Sequence, residues 1–329
     1  MVARTEKLTI AQAITAGLKQ AMEKDKDIVI MGEDVGRDGG VFRVTEGLMD
    51  RFGEERVIDT PLAESGIVGS AIGMAIGGFR PVVEIQFMDF MYPALNQILA
   101  HLVRYRNRSR GRYTLPVVVR MPFGGGIHPP EHHSESLEAP LLHTAGLKVV
   151  APSNPYDAKG LILAALESED PVIFMEPKRI YRAFKEDVPQ ERYSVPIGKA
   201  RVAREGKDVS IITFGAAVRT SLEAAEDLEK KGTGAEVIDL RSLNPLDVDA
   251  VLSSVRKTGR AVVVHEAPKL LGIGAEIAAI IQEKALLDLL APVGRVAGLD
   301  VPFPLPLLEN HYLPNRSRIV EAALSAVNY

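Results

Sequence analysis

The 329-residue sequence contains no cysteine. Disulfide bonds, thiolate nucleophiles and metal sites built on cysteine are therefore excluded. No apolar run approaches the roughly 18 residues that a membrane-spanning helix requires, and the charged N-terminus lacks the apolar region of a signal peptide. The net charge of −4 offers no general attraction for nucleic acid or anionic lipid. These absences predict a cytoplasmic protein that binds neither nucleic acid nor membrane.

The glycine motifs of several common nucleotide-binding sites are also missing. Gly272-Ile273-Gly274 carries Ile277 where a dinucleotide fingerprint needs a third small residue. Neither a Walker-type phosphate loop nor the glycine-flanked serine of a nucleophile elbow occurs in the sequence. We therefore exclude an NAD site at the glycine pair.

Short apolar strands alternate with amphipathic helices along most of the chain. Thr9-Ile10-Ala11-Gln12 has the form of a capping box and predicts the first helix, and Asp27–Met31 is the first apolar strand. Further strands are predicted at Pro81–Gln86, Pro116–Met121, Leu147–Ala151, Pro171–Met175, Val209–Phe214, Ala235–Leu240, Arg260–His265 and Arg295–Leu299. This alternation predicts an α/β fold of parallel sheets with helices on both faces.

A charged, proline-containing stretch between Tyr181 and Lys199 interrupts the alternation. A chain of 329 residues also exceeds one ordinary core, since single cores stop growing at roughly 250–300 residues. We predict a first domain over residues 1–185, a linker over 186–200 and a smaller second domain over 201–329.

The predicted helix that begins near Glu64 carries Gly66, Gly69 or Ser70, Gly73 and Gly77 on one side at helical spacing. A face without side chains lets another backbone approach closely, which favours a subunit interface, although tight packing within one subunit would also explain it. Glu64 itself could serve only as a favourable charge at the start of the helix.

Three of the seven histidines, His128, His132 and His133, lie in a loop rich in glycine and proline. Adjacent histidines diverge on a regular backbone and the HExxH motif is absent, so a zinc site is disfavoured. An acid/base or anion-binding role for a histidine fits the loop better.

Six segments, in order and spacing, resemble the E1β family, the β subunits of pyruvate and branched-chain 2-oxo acid dehydrogenases. They are Gly32-Glu33-Asp34-Val35-Gly36, Asp59-Thr60-Pro61-Leu62-Ala63-Glu64-Ser65-Gly66, Arg80-Pro81-Val82-Val83-Glu84-Ile85-Gln86-Phe87, His132-His133-Ser134-Glu135-Ser136, Gly146-Leu147-Lys148-Val149-Val150 and Pro155-Tyr156-Asp157-Ala158-Lys159-Gly160-Leu161. The resemblance covers nearly the whole chain. It implies a transketolase-like pyrimidine-binding domain followed by a smaller transketolase C-terminal domain, and thiamine diphosphate as the cofactor.

The resemblance also implies roles for individual residues. Glu64 matches the glutamate that activates the cofactor by sharing a proton with N1′ of the aminopyrimidine. His133 matches a catalytic histidine that contacts substrate and moves a proton during acyl transfer. The positions that line the cofactor in the family correspond to Glu33, Leu62, Ala63, Gln86 and Phe90, with Phe90 also near the substrate. Without the resemblance, Leu62 and Phe90 would be interpreted as ordinary core residues.

Two metal sites are implied in different ways. Family members often hold a structural monovalent cation, K⁺, through backbone carbonyls of a turn that corresponds here to Ala165, Ser168 and Asp170. The Mg²⁺ and diphosphate site normally needs a GDG motif followed by an asparagine pair, and Asp38-Gly39-Gly40 has no such sequel. The resemblance therefore implies that an α subunit holds the Mg²⁺.

The implied assembly is an α2β2 heterotetramer, in which this chain contacts an α subunit and a second β subunit. The implied reaction is oxidative decarboxylation of a small 2-oxo acid, with acyl transfer to the lipoyl group of an E2 acyltransferase. The stretch His132-His133-Ser134 favours branched-chain substrates slightly, and a pyruvate-specific enzyme is the alternative. A split transketolase-type subunit and a non-catalytic assembly subunit are further alternatives.

Overall fold

A computed structural model describes residues 4–329 of the chain. By its internal contacts the described chain forms two compact units. The first comprises residues 4–123 and 141–197, and the second comprises residues 124–140 and 198–329. The segment Gly124–Pro140 thus groups with the C-terminal part of the chain.

Alternating strands and helices build the first unit, as the sequence predicts. The strands are β1 (Thr5–Leu8), β2 (Ile28–Gly32), β3 (Val57–Asp59), β4 (Arg80–Glu84), β5 (Val118–Phe123), β6 (Lys148–Val150), β7 (Val172–Pro177) and β8 (Glu186–Pro189). The α-helices in this part of the chain are α1 (Ile10–Lys24), α2 (Leu48–Phe52), α3 (Glu64–Ile76), α4 (Tyr92–Leu95), α5 (Tyr105–Arg108), α6 (Glu138–Leu142) and α7 (Pro155–Glu167). A π-helical turn, Asn96–Leu102, follows α4 directly.

Helix α1 begins where its capping box predicts. Thr9 Oγ1 accepts the N–H of Gln12, and Gln12 Oε1 accepts the N–H of Thr9, so two otherwise orphaned donors are satisfied. The buried face of α1 packs closely on α7, because a Cβ at Gly17 would lie 2.5 Å from Cγ2 of Ile162. Glycine is therefore required for this helix contact.

The main sheet of the first unit has the order β6-β7-β5-β4-β2-β3, and each neighbouring pair is parallel. Parallel strands place all their carboxyl ends at one edge, where open α/β sheets bind ligands. The residues that follow β2 and end β4 are therefore brought to the same edge, beside the start of α3.

The second unit carries a five-stranded sheet in the order β14-β13-β10-β11-β9. Its strands are β9 (Arg201–Arg204), β10 (Val209–Thr213), β11 (Ala235–Asp239), β13 (Ala261–Pro268) and β14 (Gly294–Gly298), and a short strand β12 spans Ser242–Asn244. Its helices are α8 (Ala217–Lys230), α9 (Val248–Thr258), α10 (Ile273–Ala285), α11 (Glu309–Tyr312) and α12 (Arg316–Val327). The sheet is parallel except for β9, which pairs antiparallel with β11 and was not predicted.

The stretch interpreted as a linker contains a strand. In it, β8 pairs antiparallel with β1, with Thr5 opposite Pro189 and Leu8 opposite Glu186. The alternating charges and prolines of this stretch suit an exposed two-stranded ribbon as well as a linker. No helix formed by residues 4–329 is long and apolar enough to cross a membrane.

Candidate active site

Three buried glutamates gather at the carboxyl edge of the first sheet. Glu33 follows β2, Glu84 ends β4 and Glu64 is the first residue of α3. Burial, followed by the charges of Glu64, Asp34 and Glu84, raises the pKa of Glu33 to about 6. Oε1 of Glu33 is buried and receives no hydrogen bond from any group within residues 4–329. The cluster therefore offers a proton-binding group near neutral pH and an acceptor available to a ligand.

Glu64 takes its place from the start of helix α3. Its predecessor, Ala63, has φ −160° and ψ 72° and provides no side-chain cap. The first-turn N–H groups and the positive end of the helix dipole favour a carboxylate at this position. The same local structure that could make Glu64 a simple helix-stabilising charge also presents a buried carboxylate at the sheet edge.

We expect Glu33→Gln to stabilise the protein in a pH-dependent way. The folded state binds this proton more tightly than the unfolded chain, so the free energy of unfolding falls as pH rises from about 4.5 to about 6. Above that pH range the carboxylate is charged, and its burial lowers the free energy of unfolding by the full amount. The neutral amide should raise the free energy of unfolding at pH 8 by about 1 kcal/mol, after allowance for solvent screening, and leave it nearly unchanged at pH 4.

Urea unfolding of the coenzyme-free protein at both pH values measures this difference. Glu54→Gln, which alters an exposed carboxyl, is the matched control. An equal change in stability at pH 4 and pH 8 would contradict the predicted proton binding at Glu33.

A buried ionic network lies behind the cluster and fixes Glu84. The guanidinium of Arg120 on β5 donates to Glu84 Oε2 at 2.7 Å and to both oxygens of Glu176 on β7 at 2.6 and 3.0 Å. Tyr181 donates to Glu176 Oε2 at 2.5 Å. Burial raises the pKa of Glu84, and the charge of Arg120 opposes that rise. The network holds the Glu84 side chain rigidly next to the candidate site.

Residues predicted to line the cofactor lie around the same edge. Gln86 Nε2 donates to Asp34 Oδ2 at 3.3 Å, and the half-buried Phe90 ring meets Phe87 edge-on, with ring centroids 5.5 Å apart. Leu62 is 78% exposed and Ala63 is also exposed, so the core interpretation of Leu62 is wrong. Apolar side chains beside buried carboxylates fit a flat heterocycle that carries N–H groups.

The glycines of α3 form an exposed face rather than an internal contact. Gly66, Gly73 and Gly77 are exposed, and a Cβ built on Gly73 would meet no atom within 4 Å among residues 4–329. Packing within the described chain therefore does not require glycine at position 73. The predicted subunit interface on this face stays a prediction.

The turn proposed for a monovalent cation is already well supplied with donors. The Ala165 carbonyl accepts the Ser168 N–H, the Asp170 carbonyl accepts the Ser168 hydroxyl, and the Ser168 carbonyl accepts Nη2 of Arg80 at 3.1 Å. Lys148 also donates to Ser168 Oγ at 2.9 Å. Arg80 and Lys148 thus already contact this turn, and K⁺ binding there stays an untested prediction.

His133 belongs to the second unit, in the segment Gly124–Pro140. It ends a short 3₁₀ turn, Glu131–His133, is half-buried, and donates its N–H to the Pro130 carbonyl at 3.1 Å. His132, next to it, is exposed. The two neighbouring histidines therefore have different surroundings, and the choice of His133 over His132 stays a prediction.

The same segment is hydrogen-bonded to buried carboxylates that were not predicted from the sequence. Gly125 donates its N–H to Glu266 Oε2 at 3.1 Å, and Gly126 donates to Glu309 Oε1. Ser136 donates to Glu138 Oε2 at 2.8 Å. Burial raises the pKa of Glu138 to about 7, although hydrogen bonds from its own N–H and from Ser136 oppose the rise and the charge of Glu266 adds to it. Nothing in the sequence distinguished these glutamates from surface charges.

The glycine pair rejected as a dinucleotide motif accommodates His265. A Cβ at Gly272 or Gly274 would lie 2.6 Å from Cε1 or 2.8 Å from Nε2 of the His265 ring. Burial and the charge of Arg295 lower the pKa of His265 to about 4, so the imidazole is neutral at pH 7. The pair thus serves packing in the second unit.

Comparisons with known protein families agree with this architecture. Residues 6–183 match the model of the transketolase pyrimidine-binding domain, and residues 198–319 match that of the transketolase C-terminal domain. A solved structure titled "Split gene transketolase, inactive beta4 tetramer" superposes with a TM-score of 0.80 over 98% of this chain and 99% of its own, at 24% identity. That likeness shows the fold.

Curated relatives are much closer in sequence. Proteins named pyruvate dehydrogenase E1 component subunit beta, from Staphylococcus aureus and Staphylococcus epidermidis, are 52% and 51% identical over 322 residues. Each alignment covers 98% of this chain and 99% of the relative. With matches of this extent, the chain belongs to the E1 β subunits of 2-oxo acid dehydrogenases, within the transketolase fold family.

Proposed function

We propose that this chain supplies the pyrimidine side of a thiamine diphosphate site, completed by an α subunit, in an enzyme that decarboxylates pyruvate and passes the acetyl group to the lipoyl arm of E2. The observation that carries the proposal is the buried Glu64 at the start of α3, electrostatically coupled to Glu33. A carboxylate in this setting is suited to sharing a proton with a ring nitrogen.

Thiamine diphosphate, when bound, supplies the carbon nucleophile that attacks the 2-oxo carbon and accepts the electron pair released with carbon dioxide. Glu64 would hold or release the proton at N1′ of the pyrimidine. Glu33 Oε1, buried without a donor in the described chain, would accept a hydrogen bond from the cofactor. Leu62 and Phe90 would pack on the pyrimidine and exclude water, and Ala63 and Gln86 would line the same site.

The diphosphate end of the cofactor needs groups that this sequence lacks. The motif for Mg²⁺ is absent beyond the isolated Asp38-Gly39-Gly40, so we assign the Mg²⁺ to the α subunit. An α2β2 heterotetramer follows, with a second β subunit placed against the exposed glycine face of α3. The role assigned to K⁺ at residues 165–170 does not enter this mechanism.

His133 is assigned to the second half of the reaction. A half-buried imidazole in a loop can give or take a proton while the acyl group moves to the lipoyl thiol. It would also contact the 2-oxo acid. The E2 lipoyl arm is the partner that this role requires.

Three substrate classes compete for this assignment: pyruvate, branched-chain 2-oxo acids and sugar phosphates. The relatives that are 51–52% identical are named pyruvate dehydrogenase, which supports pyruvate over branched-chain 2-oxo acids. A transketolase-type activity on sugar phosphates would need cationic side chains near the substrate loop, and Gly124–His133 contains no lysine or arginine. We therefore propose pyruvate.

The purified α/β pair, assayed with pyruvate, 2-oxoisovalerate, 2-oxoglutarate and a ketose phosphate, tests this assignment. We expect kcat/KM for pyruvate to exceed that for 2-oxoisovalerate by roughly 10-fold or more, because a pocket fitted to one methyl group discriminates against added carbons. A preference for 2-oxoisovalerate would restore the branched-chain interpretation, and turnover of the ketose phosphate alone would overturn the proposal.

A further inference from the structure

The loop that carries His133 is held at its start by two buried carboxylates of the C-terminal part of the second unit. Glu266 lies on β13 and accepts the Gly125 N–H at 3.1 Å, and Glu309 begins α11 and accepts the Gly126 N–H. Glu309 is 0% exposed, and its other oxygen lies 3.7 Å from Nε2 of His128 in the same loop. Both contacts of Glu309 thus go to the loop.

Glycine is required where the loop meets these carboxylates. A Cβ on Gly125 would lie 2.7 Å from both Glu309 Oε1 and Phe303 Cζ, and one on Gly124, at φ +80°, would collide with Glu266 Oε2. Phe303 belongs to an apolar cluster with Tyr312 and Leu313 that flanks Glu309. The backbone of this loop therefore contacts both the buried carboxylates and the apolar cluster.

The anchored start of the loop, at residues 124–126, is connected to His133 because the loop is closed by a hydrogen bond between its two ends. Gly124 donates its N–H to the Glu135 carbonyl at 3.0 Å, which ties the two ends of the loop together. Within it, His133 follows the Pro130 turn, whose geometry is fixed by the bonds from His133 and Ser134 to Pro130 and Glu131. A shift of Gly125 or Gly126 would therefore be passed to the histidine.

We propose that Glu309, assisted by Glu266, is a positioning residue for His133. The buried carboxylate of Glu309 sets the register of the loop over residues 124–135. This inference rests on the acyl-transfer role proposed for His133. A buried carboxylate is costly unless it is hydrogen-bonded, and Glu309 Oε1 accepts its hydrogen bond from the loop backbone. Glu309 Oε2 is buried and receives no hydrogen bond within residues 4–329, and the nearest basic side chain to it, His128, belongs to the same loop.

Hydrogen–deuterium exchange of the reconstituted α/β enzyme tests the anchor without reference to activity. Glu309→Ala removes the acceptor of the Gly126 N–H, so the Gly126 amide should exchange roughly 10–100-fold faster, the change expected for a lost charge-assisted hydrogen bond, whereas the Gly125 amide keeps its acceptor on Glu266. Glu309→Gln keeps an oxygen in place and should change exchange much less. Asn310→Ala, at the exposed neighbour on the same helix, is the control.

A double-mutant cycle tests the connection to His133. Glu309→Ala should slow acyl transfer to the lipoyl domain roughly 10-fold, while adding it to His133→Ala should cause no further loss. Gly125→Ala, which pushes the loop off an intact Glu309, should give the same pattern and serves where Glu309→Ala does not fold. Full multiplicative losses in the double variant would show a general structural role and overturn the proposal.

The two measurements separate this inference from the proposed function. If His133→Ala leaves acyl transfer unchanged, the role of His133 fails, while exchange at Gly126 still tests the anchor. If exchange at the Gly126 amide is the same in Glu309→Ala as in the parent enzyme, the anchor is wrong whatever the histidine does.

Discussion

Glu64→Gln should abolish decarboxylation of the 2-oxo acid by the reconstituted α/β enzyme, with kcat falling by at least roughly 100-fold. The amide has the size and hydrogen-bonding shape of the carboxyl group but cannot exchange a proton with a ring nitrogen, and acid–base steps of this kind contribute about 10²–10⁴ to the rate. Production of carbon dioxide in a single turnover measures the step directly. Assembly with the α subunit should be unchanged.

A control separates this role from stabilisation of the helix. Glu276 lies in the first turn of α10, exposed, as Glu64 lies at the first residue of α3. If both acids act only on the helix dipole, Glu276→Gln and Glu64→Gln should each cost about 0.3–1 kcal/mol of stability and nothing more. Near-normal turnover by Glu64→Gln would exclude the proposed proton exchange.

His133→Ala should impair acyl transfer much more than decarboxylation. We expect transfer to the lipoyl group to fall by roughly 100-fold, because a proton donor or acceptor is lost at that step, while decarboxylation changes only a few-fold. The first rate is followed with the lipoyl domain as acceptor, and the second with an artificial electron acceptor. His132→Ala, at the exposed neighbour, is the matched control.

Other outcomes of this comparison are equally informative. Equal loss of both rates in His133→Ala would place the histidine at substrate binding rather than at transfer. A larger effect from His132→Ala would show that His132, rather than His133, moves the proton during acyl transfer.

Much of the fold follows from local sequence, because the determinants are short-range. Thr9 and Gln12 specify the start of α1, and the runs that became β2, β4, β5 and β7 are apolar enough to be buried on both faces. Strands β8 and β9 escaped prediction for a physical reason. Both are short, only partly buried and pair antiparallel, so their composition does not differ from that of a loop.

The candidate site was predictable only in part. Glu64, Glu33, Gln86 and Phe90 were assigned to the site because they match positions of the family that the sequence resembles. Glu84 with Arg120 and Glu309 with Gly126 are pairs that meet through tertiary structure, separated by 36 and 183 residues. Periodicity carries no information about partners so far apart. The roles of the site residues, and the boundaries at 185 and 201, stay predictions.

The chain enters the loop of residues 124–135 from β5, yet both carboxylates that hold the loop are encoded more than a hundred residues later. A fragment that stops at residue 197 would contain every residue predicted to touch the cofactor and the histidine as well. It would lack Glu266 and Glu309, so the loop that carries the histidine would lose both hydrogen bonds that hold its start. Exchanging C-terminal halves between relatives should therefore alter the reaction, even though every residue predicted to take part in it lies in the N-terminal half.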